Sequence, residues 1–323
     1  MKTLSTVANG IAFFALVPSL LAYLGEFWWR FHLWEHLRPH YGMALAAAVV
    51  LAVLARRWRW AAFWVAAVAA NGLLLFPLLP LGGASEPIAG PRLRVLHANL
   101  HVQHPDPDRL LEWVEGLDRD LVLLHEFTPV WRKRVQQVCR RYRLELCDPQ
   151  VHPTGTALLL PVEARQEWRL VDSSILQMTQ TIGERPVMEL VLEAGGRGLA
   201  VLSFHATRPI SWFESRGQER DFRFAADWAL GQRALGRETL VLGDFNSTPW
   251  SSRFRGLLRD AELEDSLVGR GMQGSWPSFL PSFLRLPIDH AVHSSGLVVA
   301  ERRLGPEVGS DHLPLLIEIG FRP

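Results

Sequence analysis

The amino-acid composition of this 323-residue chain changes abruptly near residue 82. Residues before that point are mostly Ala, Leu, Val, Phe and Trp with few charges, whereas the residues after it have the composition of an ordinary globular domain. A segment this apolar is disfavoured in water, which restricts how the first quarter of the chain can fold. We therefore expect a transmembrane region at residues 1–82, a linker at residues 83–91 and a soluble domain at residues 92–323.

Three apolar stretches in the first region are candidates for transmembrane helices: residues 7–24, 43–55 and 61–81. Crossing the hydrocarbon takes about 20 residues, so the second stretch must borrow a flanking residue such as Tyr41 or Trp58. Several Trp residues lie at the expected span ends, where aromatic belts occur in membrane proteins. The first stretch follows Met1 and Lys2 and also fits a cleavable signal peptide.

The charges next to these stretches predict the orientation of the chain. Arg56, Arg57 and Arg59 occupy the short link between the second and third stretches, which the positive-inside rule places in the cytoplasm. With three spans, residues 92–323 then lie outside the cytoplasmic membrane, in a periplasmic or external space. In such an oxidising compartment Cys139 and Cys147 could form a disulfide, whereas in the cytosol they would be reduced and buried; the external placement favours the disulfide. The formal net charge of +1 favours no class of binding partner.

In the second region, short apolar runs alternate with helical patterns, which predicts a mixed α/β domain. Most of the apolar runs end in a polar side chain. Because ligands of α/β domains bind at strand ends, these side chains are the candidate site residues. In chain order they are Asn99, Glu126, His205, Asp244, Asn246, Asp289, Asp311 and His312.

This collection of oxygen and imidazole groups suits metal-assisted hydrolysis of a phosphoester. Mg²⁺ prefers carboxylate and amide oxygens and keeps several waters. Glu126, Asn99 and Asp311 are therefore the expected ligands, with Mn²⁺ as the alternative cation.

The other candidates have roles in the reaction itself. A carboxylate at Asp244 can orient and deprotonate the attacking water. Asn246 and His205 can donate hydrogen bonds to phosphate oxygens, where charge develops during transfer. His312, if paired with Asp289, would be held in one orientation and favoured as the cation.

Taken singly, each of these residues has a simpler interpretation. Asp and Asn often cap a helix or turn, and a Glu at the end of a strand is often a solvated edge residue. A lone His is commonly a hydrogen-bonded packing residue. The repetition of polar groups at successive strand ends favours a shared site.

Two motifs carry a resemblance to a known family. The sequence GDFN at Gly243–Asn246 and the sequence SDH at Ser310–His312 resemble those of the endonuclease/exonuclease/phosphatase superfamily, and the resemblance extends from about Leu93 to the C-terminus. His125 departs from the family pattern, since many relatives have Gln before the metal-binding Glu.

The resemblance implies a four-layer α/β sandwich with two central mixed sheets and the site at one rim. It further implies that Asp244 is the base, Glu126 the principal magnesium ligand, and Asp289 with His312 a paired acid and imidazole. Asn99 and His205 resemble the family's first-strand Asn and its phosphate-contacting His. The protein is therefore expected to be a phosphohydrolase or phosphodiesterase.

The substrate expectation comes from apolar residues near the site. Trp276, Phe279, Leu280, Phe283 and Leu284 precede Asp289, and the sequence ISWF at residues 210–213 follows His205. They could form an apolar rim or pack into the domain's own core. A rim on a membrane-tethered enzyme favours a lipid or lipid-linked phosphate, such as a phospholipid head group or undecaprenyl pyrophosphate. The layout also resembles membrane-anchored bacterial family members linked to glycopeptide-antibiotic resistance.

Two other functions remain open from the sequence. A surface-anchored nuclease would use the same catalytic residues and would need clustered basic side chains, such as those in residues 132–143. A non-catalytic membrane scaffold that keeps the fold is the third alternative. No protein partner is identifiable.

Overall fold

The structure, a computed structural model, describes residues 2–81, 87–103, 107–163, 167–178 and 185–323. The helices in these ranges are α1 (Lys2–Leu21), α2 (Trp29–Glu35), α3 (Arg38–Leu54), α4 (Trp58–Leu73), α5 (Asp108–Glu115), α6 (Pro129–Val138), α7 (Trp212–Ala234) and α8 (Ser252–Asp260). The strands are β1 (Ala89–Asn99), β2 (Leu121–His125), β3 (Tyr142–Asp148), β4 (Thr156–Pro161), β5 (Arg169–Gln177), β6 (Pro186–Ala194), β7 (Arg197–Ser203), β8 (Glu238–Asp244), β9 (Leu263–Asp265), β10 (Asp289–Ser294), β11 (Leu297–Leu304) and β12 (Leu315–Phe321).

The strands form two six-stranded mixed sheets. Their orders are β11-β12-β1-β2-β4-β3 and β5-β6-β7-β8-β10-β9. The β1–β2 and β7–β8 pairs are parallel, and the other pairs are antiparallel. Each sheet therefore has one parallel pair whose carboxyl ends lie at the same edge.

The two sheets pack face to face, and helices cover their outer faces. The side chains of β1 alternate between these two environments. Leu93 and Val95 enter the core between the sheets, whereas Leu96 and Ala98 face α5 and α6. Helices α7 and α8 cover the second sheet through a separate apolar cluster. The architecture is the expected four-layer α/β sandwich.

Residues 2–81, as far as the structure describes them, form helices rather than strands, with a small core of their own. Tyr41 and Leu45 of α3 and Trp64 of α4 are buried in that core. A helix of 17 residues such as α3 extends about 26 Å, against about 30 Å of hydrocarbon. Among the described residues, no single helix is both long and apolar enough to cross a membrane, while Ala12–Leu24 and Trp29–Glu35 together satisfy the test but are bent by 118°. The three predicted transmembrane helices are therefore not confirmed.

Two further expectations from the sequence concern the linker and the two cysteines. Residues 83–86 of the predicted linker lie outside the described residues, and its last three residues already belong to β1. The expected disulfide is wrong for this structure, in which Cys139 and Cys147 are both free. Cys139 is the residue that ends α6, and its side chain packs in the buried apolar cluster beneath that helix.

Candidate active site

Sheet register brings the predicted site residues together. Asn99 at the end of β1 is paired with His125 at the end of β2, and Glu126 follows directly. In the other sheet, Asp244 at the end of β8 is paired with Asp289 at the start of β10. Because the sheets face each other, these strand ends meet at one rim of the sandwich.

Gly243 makes the approach of the two sheets possible. Its φ of 146° lies in a region that side chains rarely adopt. A Cβ atom there would overlap the carbonyl oxygen of Phe204 and would lie 2.6 Å from Cε1 of His125. The glycine of GDFN is thus required by packing just before the Asp244 carboxylate.

Asp289 is held by two imidazoles. Nδ1 of His312 lies 2.8 Å from one carboxylate oxygen, and Nε2 of His97 lies 3.1 Å from the other. All three side chains are buried. The predicted pairing of Asp289 with His312 is therefore present, and His97 is an addition that the sequence analysis missed.

Asp244 lies beside this network and receives hydrogen bonds from two sides. Nδ2 of Asn99 donates to Oδ2 at 3.1 Å, and the backbone N–H of Asn246 donates to Oδ1 at 2.8 Å. Nε2 of His205 and Nε2 of His312 lie 3.6 and 3.7 Å from Oδ2. The carboxylate is therefore oriented by neutral donors, with two imidazoles close by.

Burial and neighbouring charges set the ionisation of these groups. Burial raises the pKa of Asp244 to about 7, against the opposing effect of His312. Burial alone would lower the pKa of His312, but the carboxylates of Asp289 and Asp244 raise it to about 10. The pKa of Asp289 is held well below its usual range, because its pairing with His312 and His97 outweighs burial. His312 is therefore a cation between two carboxylates.

His205 is buried and neutral. Burial and the nearby Arg185 guanidinium keep its pKa well below the usual value. Its ring stacks on that of His125, with the centroids 5.1 Å apart and the planes inclined by 8°. His125, where relatives often have Gln, thus supports His205 and is itself fixed by a 2.8 Å hydrogen bond to Ser203.

Glu126 and Asn246 both adopt left-handed backbone conformations, with φ of 58° and 47°. Such angles are uncommon for residues other than Gly and often occur at functional sites. The Nδ2 atom of Asn246 donates to the carbonyl of Ala206 at 2.9 Å, which fixes its amide beside Asp244. Both side chains line the same cavity as Asp244 and His312.

The oxygen atoms on the cavity side of Asp244 fit a hard divalent cation. Asn99 Nδ2 lies 3.2 Å from Oε1 of Glu126 as well as 3.1 Å from Asp244, so these three groups are neighbours. The other Glu126 oxygen accepts the backbone N–H of Val102 at 2.7 Å, which orients the carboxylate. The two carboxylates are ligands that Mg²⁺ and Mn²⁺ prefer. The Asn99 amide presents its nitrogen to them, while its Oδ1 accepts the backbone N–H of His101 at 3.0 Å, so Asn99 would act as a ligand only after its amide turns.

A second group of three side chains also has the spacing of a metal site. Ligand atoms of Asp244, Asp289 and His312 lie within 4.8 Å of one another. Both oxygens of Asp289 and Nδ1 of His312 are already used in hydrogen bonds, as are both oxygens of Glu126. The Glu126 side is favoured by access, since Glu126, Asp244 and Asp311 all line the cavity. We therefore place the candidate cation on the Glu126 side.

Asp311 faces the cavity but has two neighbours that compete for its oxygens. Its Oδ1 lies 3.0 Å from Nδ1 of His101, and its Oδ2 accepts the indole N–H of Trp276 at 3.0 Å. As a metal ligand it would have to share these oxygens. Neither His101 nor Trp276 was predicted to contact it.

The cavity over these groups has a volume of 540 Å³. Its lining combines polar candidate side chains with apolar residues from several distant segments. Those apolar residues include Leu33, Leu37, Ile210, Trp276, Leu286 and Ile288. A site of this size accommodates more than a phosphate group.

Comparison with protein families identifies the same region. A family model described as the endonuclease/exonuclease/phosphatase family matches residues 96–312, which is more than half of the chain. The matched range contains every candidate residue from Asn99 to His312. Among curated proteins, no sequence matches the chain.

Several solved structures share the fold. An endonuclease/exonuclease/phosphatase from Bacteroides vulgatus has a TM-score of 0.58 at 13% identity, covering 72% of this chain and 99% of its own. D. rerio TDP2 complexed with single-strand DNA product has a TM-score of 0.56 at 15% identity, covering 71% and 99%. A mannosyl-6-phosphatase from Bacteroides thetaiotaomicron has a TM-score of 0.53 at 15% identity, covering 71% and 100%. At these identities the likeness shows the fold, and the same fold holds both a DNA-bound protein and a sugar phosphatase.

Proposed function

Because the chain belongs to the endonuclease/exonuclease/phosphatase family, whose members are hydrolases, we propose that it is a divalent-metal-dependent phosphoester hydrolase with Asp244 as the general base. The observation that carries this proposal is the position of Asp244, buried at the cavity beside a protonated His312. A carboxyl whose pKa is raised to about 7 accepts a proton from water far more readily than an ordinary carboxylate.

The other residues of the site support this role. Asp289 and His97 hold His312 as a cation, which can stabilise negative charge that develops on a phosphate. Asn246 and the neutral His205 can donate hydrogen bonds to phosphate oxygens. Attack by the water forms a new P–O bond as the P–O bond to the leaving group breaks. The leaving oxygen takes a proton from solvent, the proton taken by Asp244 is released to solvent, and His312 keeps its own proton.

Glu126 and Asn99 would hold the cation, with Asp311 as a further ligand, and we propose Mg²⁺ as the physiological ion with Mn²⁺ as a substitute. When bound, the cation supplies Lewis-acid stabilisation of the phosphate oxygens. The side chains of this chain orient the water and the phosphate around it.

The proposal is tested by hydrolysis assays on the purified full-length protein in detergent. We expect release of product from a phosphoester in the presence of Mg²⁺, little release with EDTA, and loss of activity in Asp244→Asn. Undecaprenyl pyrophosphate, a phospholipid panel and DNA would be compared. An Asp244→Asn variant with wild-type activity would contradict the assignment of the base.

For the substrate, we favour a lipid or lipid-linked phosphate. The loop after Trp276 carries Phe279 and Phe283, whose side chains are 72% and 63% exposed rather than packed in the core. The start of helix α7 carries the exposed Trp212 and Phe213, and Ile210 beside them lines the cavity. An exposed apolar rim next to a phosphate site suits a substrate whose phosphate lies at an apolar surface.

The rim is tested by Phe279→Ser combined with Phe283→Ser. The ratio of phospholipid-vesicle hydrolysis to hydrolysis of a soluble phosphodiester should fall severalfold, because the rim contacts the vesicle and not the soluble compound. Leu235→Ser, an exposed apolar residue at the other end of β8, is the matched control. An unchanged ratio in the double variant would remove the support for a lipid substrate.

We further propose that the N-terminal helices attach the enzyme to the cytoplasmic membrane with the catalytic domain on its outer side. The support is the apolar composition of the segment and the three Arg residues at positions 56, 57 and 59. Reporter fusions after Arg57 and after Gly90 test the orientation. A cytoplasmic signal from the second fusion would contradict it.

A nuclease remains the alternative reaction, and DNA in the assay tests it. The basic segment that favoured this alternative is partly neutralised in the structure. Arg134 pairs with Asp108, and Arg143 pairs with Glu145. This pairing weakens the electrostatic case for nucleic acid.

A further inference from the structure

The N-terminal helices do more than precede the catalytic domain, because α2 packs against its active-site loops. The Glu35 carboxylate is buried and accepts hydrogen bonds from the backbone N–H and the hydroxyl of Ser252, at 2.8 and 3.0 Å. The indole N–H of Trp250 donates to the Glu35 carbonyl at 2.7 Å. Helix α2 is thereby fixed to the start of α8, a few residues after Asp244.

A second connection joins α2 to the residues beside the base. Nε2 of His32 lies 3.1 Å from Oε1 of Gln218 on α7, and Nε2 of Gln218 donates to the carbonyl of Asn246 at 2.9 Å. His32 and Gln218 are both fully buried. Through Gln218, these hydrogen bonds connect α2 to the loop that carries Asn246.

The turn after α2 forms part of the cavity wall. Leu33, His36 and Leu37 line the same cavity as Asp244, Glu126 and His312. On the catalytic-domain side, Ile210, Leu286 and Ile288 complete an apolar lining. A phosphate bound at the catalytic residues would therefore have its attached group directed toward a surface built from both regions.

His36, which lines this cavity, is held in place by the catalytic domain. The backbone N–H of Thr248 donates to its Nδ1 at 3.4 Å, and the Thr248 hydroxyl lies 3.0 Å from the same atom. Since a backbone N–H can only donate, the proton of the neutral ring is on Nε2. Nε2 is buried and has no hydrogen-bond partner in the described part of the chain.

We propose that residues 33–37, at the end of α2, form the wall of the substrate site that contacts an apolar group attached to the reacting phosphate. Leu33 and Leu37 supply the apolar contact. The inference rests on the proposed phosphohydrolase function and specifies its substrate as a phosphoester with an apolar chain. It makes an N-terminal helix, outside the matched family region, a determinant of specificity.

The experiment compares two chromogenic phosphodiesters, methyl p-nitrophenyl phosphate and octyl p-nitrophenyl phosphate, with the full-length protein and Mg²⁺. Wild-type enzyme should have the higher kcat/KM for the octyl compound. In Leu37→Ser the ratio of the octyl to the methyl kcat/KM should fall about tenfold, because one large apolar contact is lost. Leu37 is 40% exposed, so the substitution should leave the fold intact.

Leu235→Ser is the control, since this residue is 67% exposed and lies at the opposite end of β8 from Asp244. It should leave the ratio unchanged. An equal loss on both compounds in Leu37→Ser, or no loss on either, would overturn the inference while leaving the phosphohydrolase proposal standing.

Binding separates the two proposals if neither compound is hydrolysed. That result would refute the proposed function for these diesters. Calorimetric titration of octyl phosphate into wild type and Leu37→Ser then tests the wall directly. Weaker binding to the variant, by about tenfold, supports the wall, whereas equal affinities or undetectable binding to both proteins would overturn it.

Discussion

At the scale of single residues, the site depends on one cation held between two carboxylates. His312 is buried, and burial alone would favour its neutral form. Asp289 on one side and Asp244 on the other reverse that preference. Since Asp289 is also held by His97, its negative charge is fixed and Asp244 is the carboxyl left to change protonation.

The pH dependence of activity should follow from these two groups. Asp244 acts as a base only when ionised, so activity should rise as the pH increases through about 7, the raised pKa of its carboxyl. Activity should fall as the pH approaches about 10, where His312 loses its proton. A nearby bound cation favours the carboxylate, so raising the Mg²⁺ concentration should move the acidic limb to lower pH. A pH–rate profile at two Mg²⁺ concentrations measures this shift. An acidic limb whose midpoint is the same at both concentrations would contradict the prediction.

His97 should act as a positioning residue. Replacing it with Ala leaves one Asp289 oxygen without its donor and loosens the orientation of His312. We expect kcat to fall by about tenfold with little change in KM, as for other residues that orient a catalytic group. His97→Gln retains a donor and should recover part of the loss. A change confined to KM, or no recovery with Gln, would contradict a positioning role.

At the scale of secondary-structure elements, strand ends were predictable and the contacts between sheets were not. The sequence alone shows apolar runs that end in Asn99 and Asp244, which is enough to predict polar groups at the carboxyl ends of strands. His97 lies two residues before Asn99 on the same face of β1, and that alternation was the available signal. Its partner Asp289 belongs to the other sheet, so the contact depends on which faces meet.

Gly243 tests the close approach of the sheets. In Gly243→Ala the new Cβ would lie 2.6 Å from Cε1 of His125 in the other sheet and would overlap the Phe204 carbonyl of its own sheet, and the backbone φ would also be unfavourable. We expect a loss of at least about 3 kcal/mol in the free energy of unfolding, with loss of activity. Gly231→Ala on α7, where a Cβ meets nothing within 4 Å, should instead be neutral or stabilising by up to about 1 kcal/mol. Chemical denaturation of both variants measures the difference, and equal stabilities would refute the packing argument.

At the scale of the whole molecule, the amino-acid composition divides the chain into an apolar N-terminal region and a catalytic domain. In the structure these two regions pack against each other. The α/β sandwich and the strand-end residues follow from local patterns and from the GDFN and SDH motifs. The docking of α2 does not, because it rests on buried polar contacts between residues about 200 positions apart, such as Glu35 with Ser252. An apolar N-terminal segment predicts burial, but the sequence does not specify the surface that buries it. Leu78 packing with Trp250 and Leu267 is a second contact of this kind.

Glu35 offers a test of whether the two regions form one cooperative unit. In Glu35→Ala the backbone N–H of Ser252 and the His32 ring lose a buried acceptor, which should lower the free energy of unfolding by about 2–4 kcal/mol. Glu26→Ala, which removes an exposed carboxylate before α2, should change it by less than about 0.5 kcal/mol. Because α2 is fixed to the loop that follows Asp244, Glu35→Ala should also lower activity while both regions unfold in one transition. Thermal unfolding followed by Trp fluorescence, with activity measured before heating, gives both readouts. If the catalytic domain instead unfolds at an unchanged temperature and keeps full activity, the N-terminal helices are an independent unit and not a structural part of the active site.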